Sequence, residues 1–461
     1  MSTTNLNNSD SLQVSKHPQY TEIDPLWDQM IDTSIGEHRI KEQGIIYLPK
    51  TDQQETAGTL GETFYQAYKE KSIFYDYVKK TQQDALGLLH KDPIVFSVPP
   101  KIDNYINRIS NDGDNAQTFM RRIHEQQLLT GRTGLLLDID ENSEFISILY
   151  CAKRITNWDS ENTTPRWIIL DESDYEIDKS TMNYTWKNKF ILLALNESDQ
   201  YFIVRFTNWD PTYLKGDEDV AEYPQYKGQL LNQIPFTFCN ASSILSDVEL
   251  PPLLPLSNIT LSLYRGSADY RQALHMQAQA TFFLKGFTNS ELEYITTGAN
   301  SYIATTEKEA DAKFIEIGGA GLSEMRESQS DLKSVAANLG VDLMDKNAVE
   351  SGSAINTRMT IRTANLRTIA ETSAAAVEEQ IQYMLNWMNT PTEEYSVIPN
   401  IDFIDETVAA SELNQMYNVY AQGGMTSQDY HAWLAQKDLT ETTYEDWMKE
   451  IENTSGITGL I

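Results

Sequence analysis

The side chains with chemistry to offer are six histidines, two cysteines and 67 carboxylates in a chain of 461 residues. His17, His38, His90, His124, His275 and His431 are scattered, and neither cysteine joins them at metal-ligand spacing, so no metal centre is expected. Asp138-Ile139-Asp140-Glu141-Asn142-Ser143-Glu144 begins like a calcium loop, in which carboxylates at alternate positions surround a hard cation. The likeness stops at the sixth position, where Ser143 stands for glycine, and at the twelfth, where Leu149 stands for glutamate. The segment reads as an acidic turn between two strands. Gly318-Gly319-Ala320-Gly321 runs into Leu322-Ser323-Glu324, without the Lys-Ser/Thr of a phosphate loop or the βαβ setting of a dinucleotide site. It reads as a hinge at a helix start. Composition leaves Ser/His/Asp catalysis open, but there is no Gly-x-Ser-x-Gly elbow, and Glu350-Ser351-Gly352-Ser353 has only the polarity of a loop. Carboxylate pairs arise by chance at this abundance and do not point to glycoside hydrolysis. The expectation is a chain with no catalytic residue, no cofactor and no enzyme activity.

Charge narrows the class further. Lys and Arg number 36 against the 67 acids, giving −31, the opposite sign from a generic nucleic-acid binder. Two readings stay open: the solubility of an acidic cytosolic protein, or a surface that faces DNA without holding it. Arg121-Arg122, Lys79-Lys80 and Lys69–Lys71 are short basic clusters that read as solvated or subunit-contact helix faces. Cys151 and Cys239 lie in apolar, strand-like surroundings and read as buried reduced thiols. Met1 to Asp10 lacks the basic and apolar regions of a signal peptide. The longest apolar runs, such as Phe190 to Leu195, are too short to span a membrane. A soluble protein, intracellular when made, is expected.

The elements that would position these residues are legible as changes of period. With 40% hydrophobic and 10% aromatic residues, the chain has apolar material for two to four structural units. Helical spacing runs from Asp24 to Ile40, from Gly61 to Leu89, and from Ala116 to Leu129 with Gly131 after it. Five strands follow at Leu135–Leu137, Phe145–Tyr150, Trp167–Leu170, Phe190–Leu195 and Tyr201–Phe206. Residues 1–250 thus form an α+β unit after a flexible arm at residues 1–20. Pro251-Pro252 and Pro255 mark a boundary. Leu256, Ile259, Leu263, Tyr270, Leu274 and Ala278 then share one helical face. A compact mixed segment follows, with strands at Thr281–Phe287, Ser301–Thr305 and Lys313–Ile317 and a short helix at Ser290–Thr296. Leu322, Met325, Leu332, Val335, Ala336 and Leu339 mark another helix. After the polar loop Asp345 to Gly352, the stripe Ile355, Met359, Leu366, Ile369, Ser373, Val377, Ile381, Met384 and Met388 predicts one helix on the order of 50 Å long. Thr390-Pro391 ends it, and short helices at Ser411–Ala421, Ser427–Ala435 and Thr443–Ile451 close the chain.

This succession resembles the portal proteins of tailed bacteriophages, including portal-like members described only as of unknown function. Gly131-Arg132-Thr133-Gly134-Leu135-Leu136-Leu137-Asp138, Ile155-Thr156-Asn157-Trp158, Ile234-Pro235-Phe236, Leu339-Gly340 and Glu350-Ser351-Gly352-Ser353-Ala354 are similar to family segments. The likeness spans roughly residues 60–390. It implies an α+β portal fold: N-terminal arm and wing at 1–252, stem helix 253–282, clip 283–320, second stem helix 321–344, tunnel loop 345–352, long wing helix 353–390 and helical crown 391–461. It also implies a homo-oligomeric ring, usually of twelve, at one capsid vertex of a virion assembled in the host cytoplasm. Double-stranded DNA would pass through it without sequence-specific contact, and no membrane would be involved. Asp345, Lys346, Asn347, Ala348, Val349 and Glu350 would face the DNA, with an ordinary inter-helix loop as the alternative for that segment. Glu291, Glu293, Glu307 and Glu309 in the clip would dock the large terminase and then the head–tail adaptor, and the wing would meet major capsid and scaffold proteins. Another phage head or tail component, or an unrecognised hydrolase, are the rival classes.

Overall fold

The computed structural model describes residues 14–140, 142–159, 165–217, 219–278, 281–288, 305, 307–315, 320–339, 352–403, 410–436, 439–440 and 442–455. The chain divides into two compact units, Met1–Ile401 and Asp402–Ile461. The first is a mixed helical and stranded body. It opens with helix α1 (Pro18–Ile35), whose first turn is capped by the His17 ring accepting from the Gln19 amide. Helical spacing alone suggests that this helix continues to Ile40. Instead Gly36 takes φ of 108°, which glycine adopts readily, and the chain restarts as α2 (Glu37–Gln43). After α3 (Asp52–Thr56) comes a second departure from the sequence reading. The expected single helix from Gly61 to Leu89 is two, α4 (Gly58–Lys71) and α5 (Tyr77–Leu89). The break is tertiary in origin. Ile73 gives its amide to the hydroxyl of Ser267 at 2.9 Å and accepts from that hydroxyl at 2.9 Å, so a side chain from a distant helix replaces the bonds a continuous helix would make.

Strand β1 (Val95–Ser97) and helix α6 (Asp103–Asn107) lead to α7 (Ala116–Thr130). Asn115 caps α7, and Gly131 ends it in the left-handed conformation at φ 73°, where the sequence placed the stop. The chain then enters the sheets. β2 (Arg132–Ile139) and β3 (Phe145–Cys151) form an antiparallel hairpin. Its turn is the acidic segment at 138–144. Asp140 accepts from the amides of Asn142 and Glu144, and these bonds hold its carboxyl below the usual range. The carboxylate is spent on the turn, as the sequence reading expected.

β4 (Ile155–Trp158), β5 (Trp167–Asp171), a protruding hairpin of β6 (Asp174–Asp178) and β7 (Asn183–Lys187), then β8 (Phe190–Leu195) and β9 (Tyr201–Phe206) follow. A small hairpin of β10 (Gln225–Tyr226) and β11 (Gln229–Leu230) precedes β12 (Phe236–Asn240). The strands sort into a three-stranded sheet, β12-β2-β3, and a four-stranded sheet, β4-β5-β8-β9. Period-two reading found five of the strands but neither β4 and β12 nor β6 and β7; in the last two Tyr175 and Ile177, and Tyr184 and Trp186, alternate with polar residues, yet almost every residue is exposed.

Helix α8 (Leu254–Ala278), hairpin strands β13 (Thr281–Lys285) and β14 (Asp311–Ile315), helix α9 (Ala320–Leu339) and helix α10 (Gly352–Trp387) come next. β13 is shorter than the expected Thr281–Phe287, and β14 starts before the expected Lys313. The helix expected at Ser290–Thr296 and the strand expected at Ser301–Thr305 lie, save Thr305, outside the described residues; Thr305 itself is in no strand. β15 (Ser396–Ile398) pairs with β1, and Asn400 donates to the Leu88 carbonyl at 3.0 Å. Residues 391–401 therefore lie with the first unit, although the sequence reading placed them with the last helices. In the second unit, α11 (Ala410–Ala421), α12 (Ser427–Gln436) and α13 (Tyr444–Ser455) gather Tyr420, Tyr430, Trp433 and Trp447 into one aromatic cluster.

The long helix α10 fills the centre of the first unit. Leu366, Ile369, Ser373, Val377, Ile381 and Met384 of the expected stripe are buried, together with Ala374 and Ala376 around the helix. Small residues let it enter between α7 and the three-stranded sheet. Gln380 is fully buried there, donating to the Leu135 carbonyl and the Thr237 hydroxyl and accepting from Ser147. Those bonds fix the helix to the strands of that sheet, because a buried amide left without partners is costly.

Two turns earlier, Ser373 meets His124 of α7 at 2.7 Å, and the other ring nitrogen of His124 lies 2.9 Å from His90. This Ser–His contact is not a nucleophile pair: both residues are 0% exposed and the third member is an imidazole, not a carboxylate. Burial, with His90 adding to it, pushes His124 down to about 3 from 6.5; burial and the Arg121 charge also lower His90. Folding therefore holds both rings neutral. For His124 the stabilising neutral state is complete above pH 6.5 and is lost as pH falls from 6.5 towards 3. The expected loss for His124 is about 1.4 kcal/mol per pH unit across that window. Urea unfolding at neutral and mildly acidic pH checks this, and His124→Asn should flatten the dependence.

Of the two cysteines, Cys239 is buried, and burial raises its thiol far above the usual range. Cys151 is only half-buried, because it ends β3 at the edge of the sheet; both are free thiols. No helix among the described residues is long and apolar enough to cross a membrane.

Candidate functional site: a two-helix stalk with a hairpin tip

The root of α8 is held tightly. Leu256, Leu261, Leu263, Tyr264 and Ala268 are buried against the N-terminal helices. Arg265 donates to the Tyr47 carbonyl at 2.8 Å, and Tyr68 gives its hydroxyl proton to Asp269 at 2.6 Å. Lys71 reaches Gln272 at 3.4 Å. Beyond that point the packing stops: Leu274 and Met276 are exposed. An amphipathic face that runs on past its own core is the signature of a helix leaving the body.

The two helices are antiparallel. The early residues Leu256 and Leu263 of α8 share a cluster with the late residues Leu332 and Ala336 of α9. β13 and β14 pair from Thr281↔Ile315 to Lys285↔Asp311 and, among the described residues, with no other strand. Phe283 is exposed, with the Lys313 ammonium 5.5 Å from its ring. An isolated two-stranded hairpin is marginal in water, and none of the described side chains of these two strands is buried. Of the clip expected from sequence, residues 289–304 lie outside the described residues.

Helix α9 is the anomaly. It is 20 residues long, and among its described side chains only Ala336 is buried. Met325, Val335 and Leu339, three of the apolar residues whose helical spacing marks this helix in the sequence, stand 39%, 44% and 50% exposed. A helix with one buried residue takes little stability from its own chain.

Between the helices lies a cleft of about 380 Å³ lined in part by Tyr75, Tyr270, Arg271, Arg326, Gln329 and Lys333. The Lys333 ammonium sits 4.6 Å over the Tyr75 ring. Three cations thus meet in a strongly acidic chain. Sequence reading missed this group because Arg271 is far along the chain from the other two, yet Arg326 and Lys333 are spaced for one helical face.

Of the expected site residues, Glu307 and Glu309 are exposed just before β14. Glu291, Glu293 and the whole segment Asp345 to Glu350 lie outside the described residues. Two of the basic clusters are occupied within the chain: Lys80 pairs with Asp84, and Arg122 with Asp112 and Asp114. Among the described residues no group of three His, Cys, Asp or Glu side chains is placed to hold a metal.

Three of the family-like segments meet inside the body. Arg132 of β2 is 0% exposed, with its guanidinium 4.3 Å from the Trp158 ring and 4.6 Å from the Phe238 ring. His17 stacks on the same indole at 4.0 Å. One guanidinium nitrogen donates to the Ser246 carbonyl at 2.7 Å; the other two are buried without hydrogen-bond partners and lie among the aromatic rings instead. Burial pushes Arg132 down to about 9, against the opposing pull of Asp247 and Glu249, so it stays a cation at neutral pH. Gly134, two residues on, lies against Phe236: a Cβ there would collide with that ring. These segments shape the packing of the three-stranded sheet and carry no reactive group.

Comparison with known proteins gives three results. A family model described as a domain of unknown function (DUF4055) matches residues 252–388, the run from the root of α8 to the end of α10. No curated protein matches the chain. Among solved structures, the chain is similar to one from the virion of a native gene transfer agent particle, at 13% identity and TM-score 0.43, covering 78% of this chain and 89% of that one. It is also similar to one from the neck of a native gene transfer agent particle computed with C12 symmetry, at 11% identity and TM-score 0.41, covering 78% and 89%. A third is an HK97 family phage portal protein from Corynebacterium diphtheriae, at 13% identity and TM-score 0.29, covering 72% of this chain and 95% of that one.

Proposed function

We propose that the chain is the portal subunit of a tailed phage or phage-derived particle, a structural ring protein through which DNA enters and leaves one vertex of the shell. The observation that carries this reading is the stalk. An antiparallel helix pair leaves a well-packed body, carries a two-stranded hairpin and includes a 20-residue helix; among the described side chains the hairpin has none buried and the helix one. Such an element is incomplete in one copy and complete when copies stand side by side around an axis. A closed ring supplies each copy with two different neighbours, one on each flank.

In this reading α8 and α9 are the stem, the β13–β14 hairpin belongs to the clip, the body around α10 is the wing, and the last helices form the crown. Twelve copies, each of charge −31, would present duplex DNA with a like-charged wall that does not grip it. Residues 345–350 would form the DNA-facing loop, with Lys346 and Asn347 able to touch phosphate in passing. The clip, with Glu291, Glu293, Glu307 and Glu309, would dock the terminase and then the adaptor. The wing would contact capsid and scaffold proteins within the virion after assembly in the host cytoplasm.

The test is the mass of the assembled full-length protein. Native mass spectrometry is expected to show one closed oligomer at an integer multiple of 52.5 kDa, twelve copies being the expected number. A persistent monomer at all concentrations would remove the proposal.

A further inference from the structure

No acid lines the basic cleft among the described residues. Among the described residues neither Arg271 nor Arg326 forms an ion pair, and Lys333 has only the Tyr75 ring. Arg326, Gln329, Ser330 and Lys333 follow the three- and four-residue spacing of a single face of α9. Glu324, Glu327 and Asp331 follow the same spacing on the opposite flank of that helix. All three are exposed and, among the described residues, form no ion pair; Val335 extends their stripe as an exposed apolar side chain. One helix therefore carries two unsatisfied surfaces of opposite sign, one on each flank.

We propose that the cleft between α8 and α9 is a carboxylate-binding site filled by a second copy of this chain, which contributes Glu324, Glu327 and Asp331. This deepens the ring reading and rests on it. A heterologous ring interface joins two different patches of one subunit, and opposite flanks of α9 supply such a pair. Charge makes the occupant specific. Copies of charge −31 repel one another, so their contact needs a place where cations of one copy lie against acids of the next. Guanidinium groups suit that task because they bind carboxylates through paired donors. The neighbour's exposed Val335 would at the same time be withdrawn from water.

The test uses two full-length charge-reversed proteins. One carries Arg271→Glu, Arg326→Glu and Lys333→Glu; the other carries Glu324→Lys, Glu327→Lys and Asp331→Lys. All six positions lie on exposed or half-exposed stalk faces, and circular dichroism confirms that each protein is folded. Each alone is expected to assemble at least about tenfold more weakly than the parent, because both flanks then bear one sign. An equimolar mixture is expected to regain assembly in alternating order, with added salt weakening it. Normal assembly of either reversed protein alone, or a folded mixture that stays unassembled, overturns the proposal. If the basic-to-acidic protein assembles normally but loses binding to a fluorescent duplex, the occupant is DNA phosphate and the proposal is likewise wrong. A parent chain that never assembles would refute the ring reading itself, an outcome distinct from all of these.

Discussion

Replacing Trp158 with alanine is expected to destabilise the first unit by about 3–5 kcal/mol, a large part of the ~5–15 kcal/mol that holds a typical domain together. Two effects add. The indole is 1% exposed, so its removal leaves a large cavity. It also uncovers one side of the Arg132 guanidinium, whose two unbonded nitrogens rely on aromatic faces instead of hydrogen bonds. A buried cation deprived of its partner is costly, whereas an apolar chain of similar length is not. Arg132→Met should therefore be mild alone, and Trp158→Ala should cost about 1–2 kcal/mol less in the Arg132→Met background than in the parent. Urea melts of the four proteins followed by near-ultraviolet circular dichroism give this cycle. Equal losses in both backgrounds would show that the cation is indifferent to the ring.

Gly134→Val is expected to be the most damaging small substitution in the sheets. The added Cβ would strike the Phe236 ring and sit 3.0 Å from the Ile155 side chain. Gly134 lies in the central strand of β12-β2-β3, opposite Phe238 on one side and Tyr150 on the other. Backbone pairing on both sides leaves no direction in which the strand can yield. A cost of about 3 kcal/mol is expected from overpacking alone. Phe236→Leu should recover part of it by shortening the opposing side chain, and thermal denaturation of the single and double substitutions measures the recovery. No recovery would place the strain elsewhere than in the Phe236 contact.

These two sites also show what was legible in the sequence. Gly131-Arg132-Thr133-Gly134, Ile155-Thr156-Asn157-Trp158 and Ile234-Pro235-Phe236 were distinguishable as segments, but their types said nothing of their meeting. Only the pairing of β2 with β12 and the entry of Trp158 from β4 bring them together in one patch of core. Local rules worked where local forces decide. The Gly131 stop, the α10 stripe, and the β8 and β9 strands all follow from period and capping. They failed where distant groups decide. Ser267 splits α4 from α5 by bonding Ile73, and β15 leaves the last helices to pair with β1. The stalk shows a third kind of limit. Apolar spacing marks α9 as a helix, and in a single copy three of its six spaced apolar residues, Met325, Val335 and Leu339, are exposed. Periodicity reports that a face is to be buried, not which molecule buries it.

The central claim is that the stalk is finished by neighbouring copies around an axis. Electron-microscopic imaging of the purified full-length protein tests it most directly. The account predicts closed rings with a central channel wide enough for duplex DNA, with α8 and α9 of adjacent copies in contact along the stem and residues 345–350 at the channel wall. Isolated monomers, or a closed assembly in which α9 remains exposed to solvent, would contradict it.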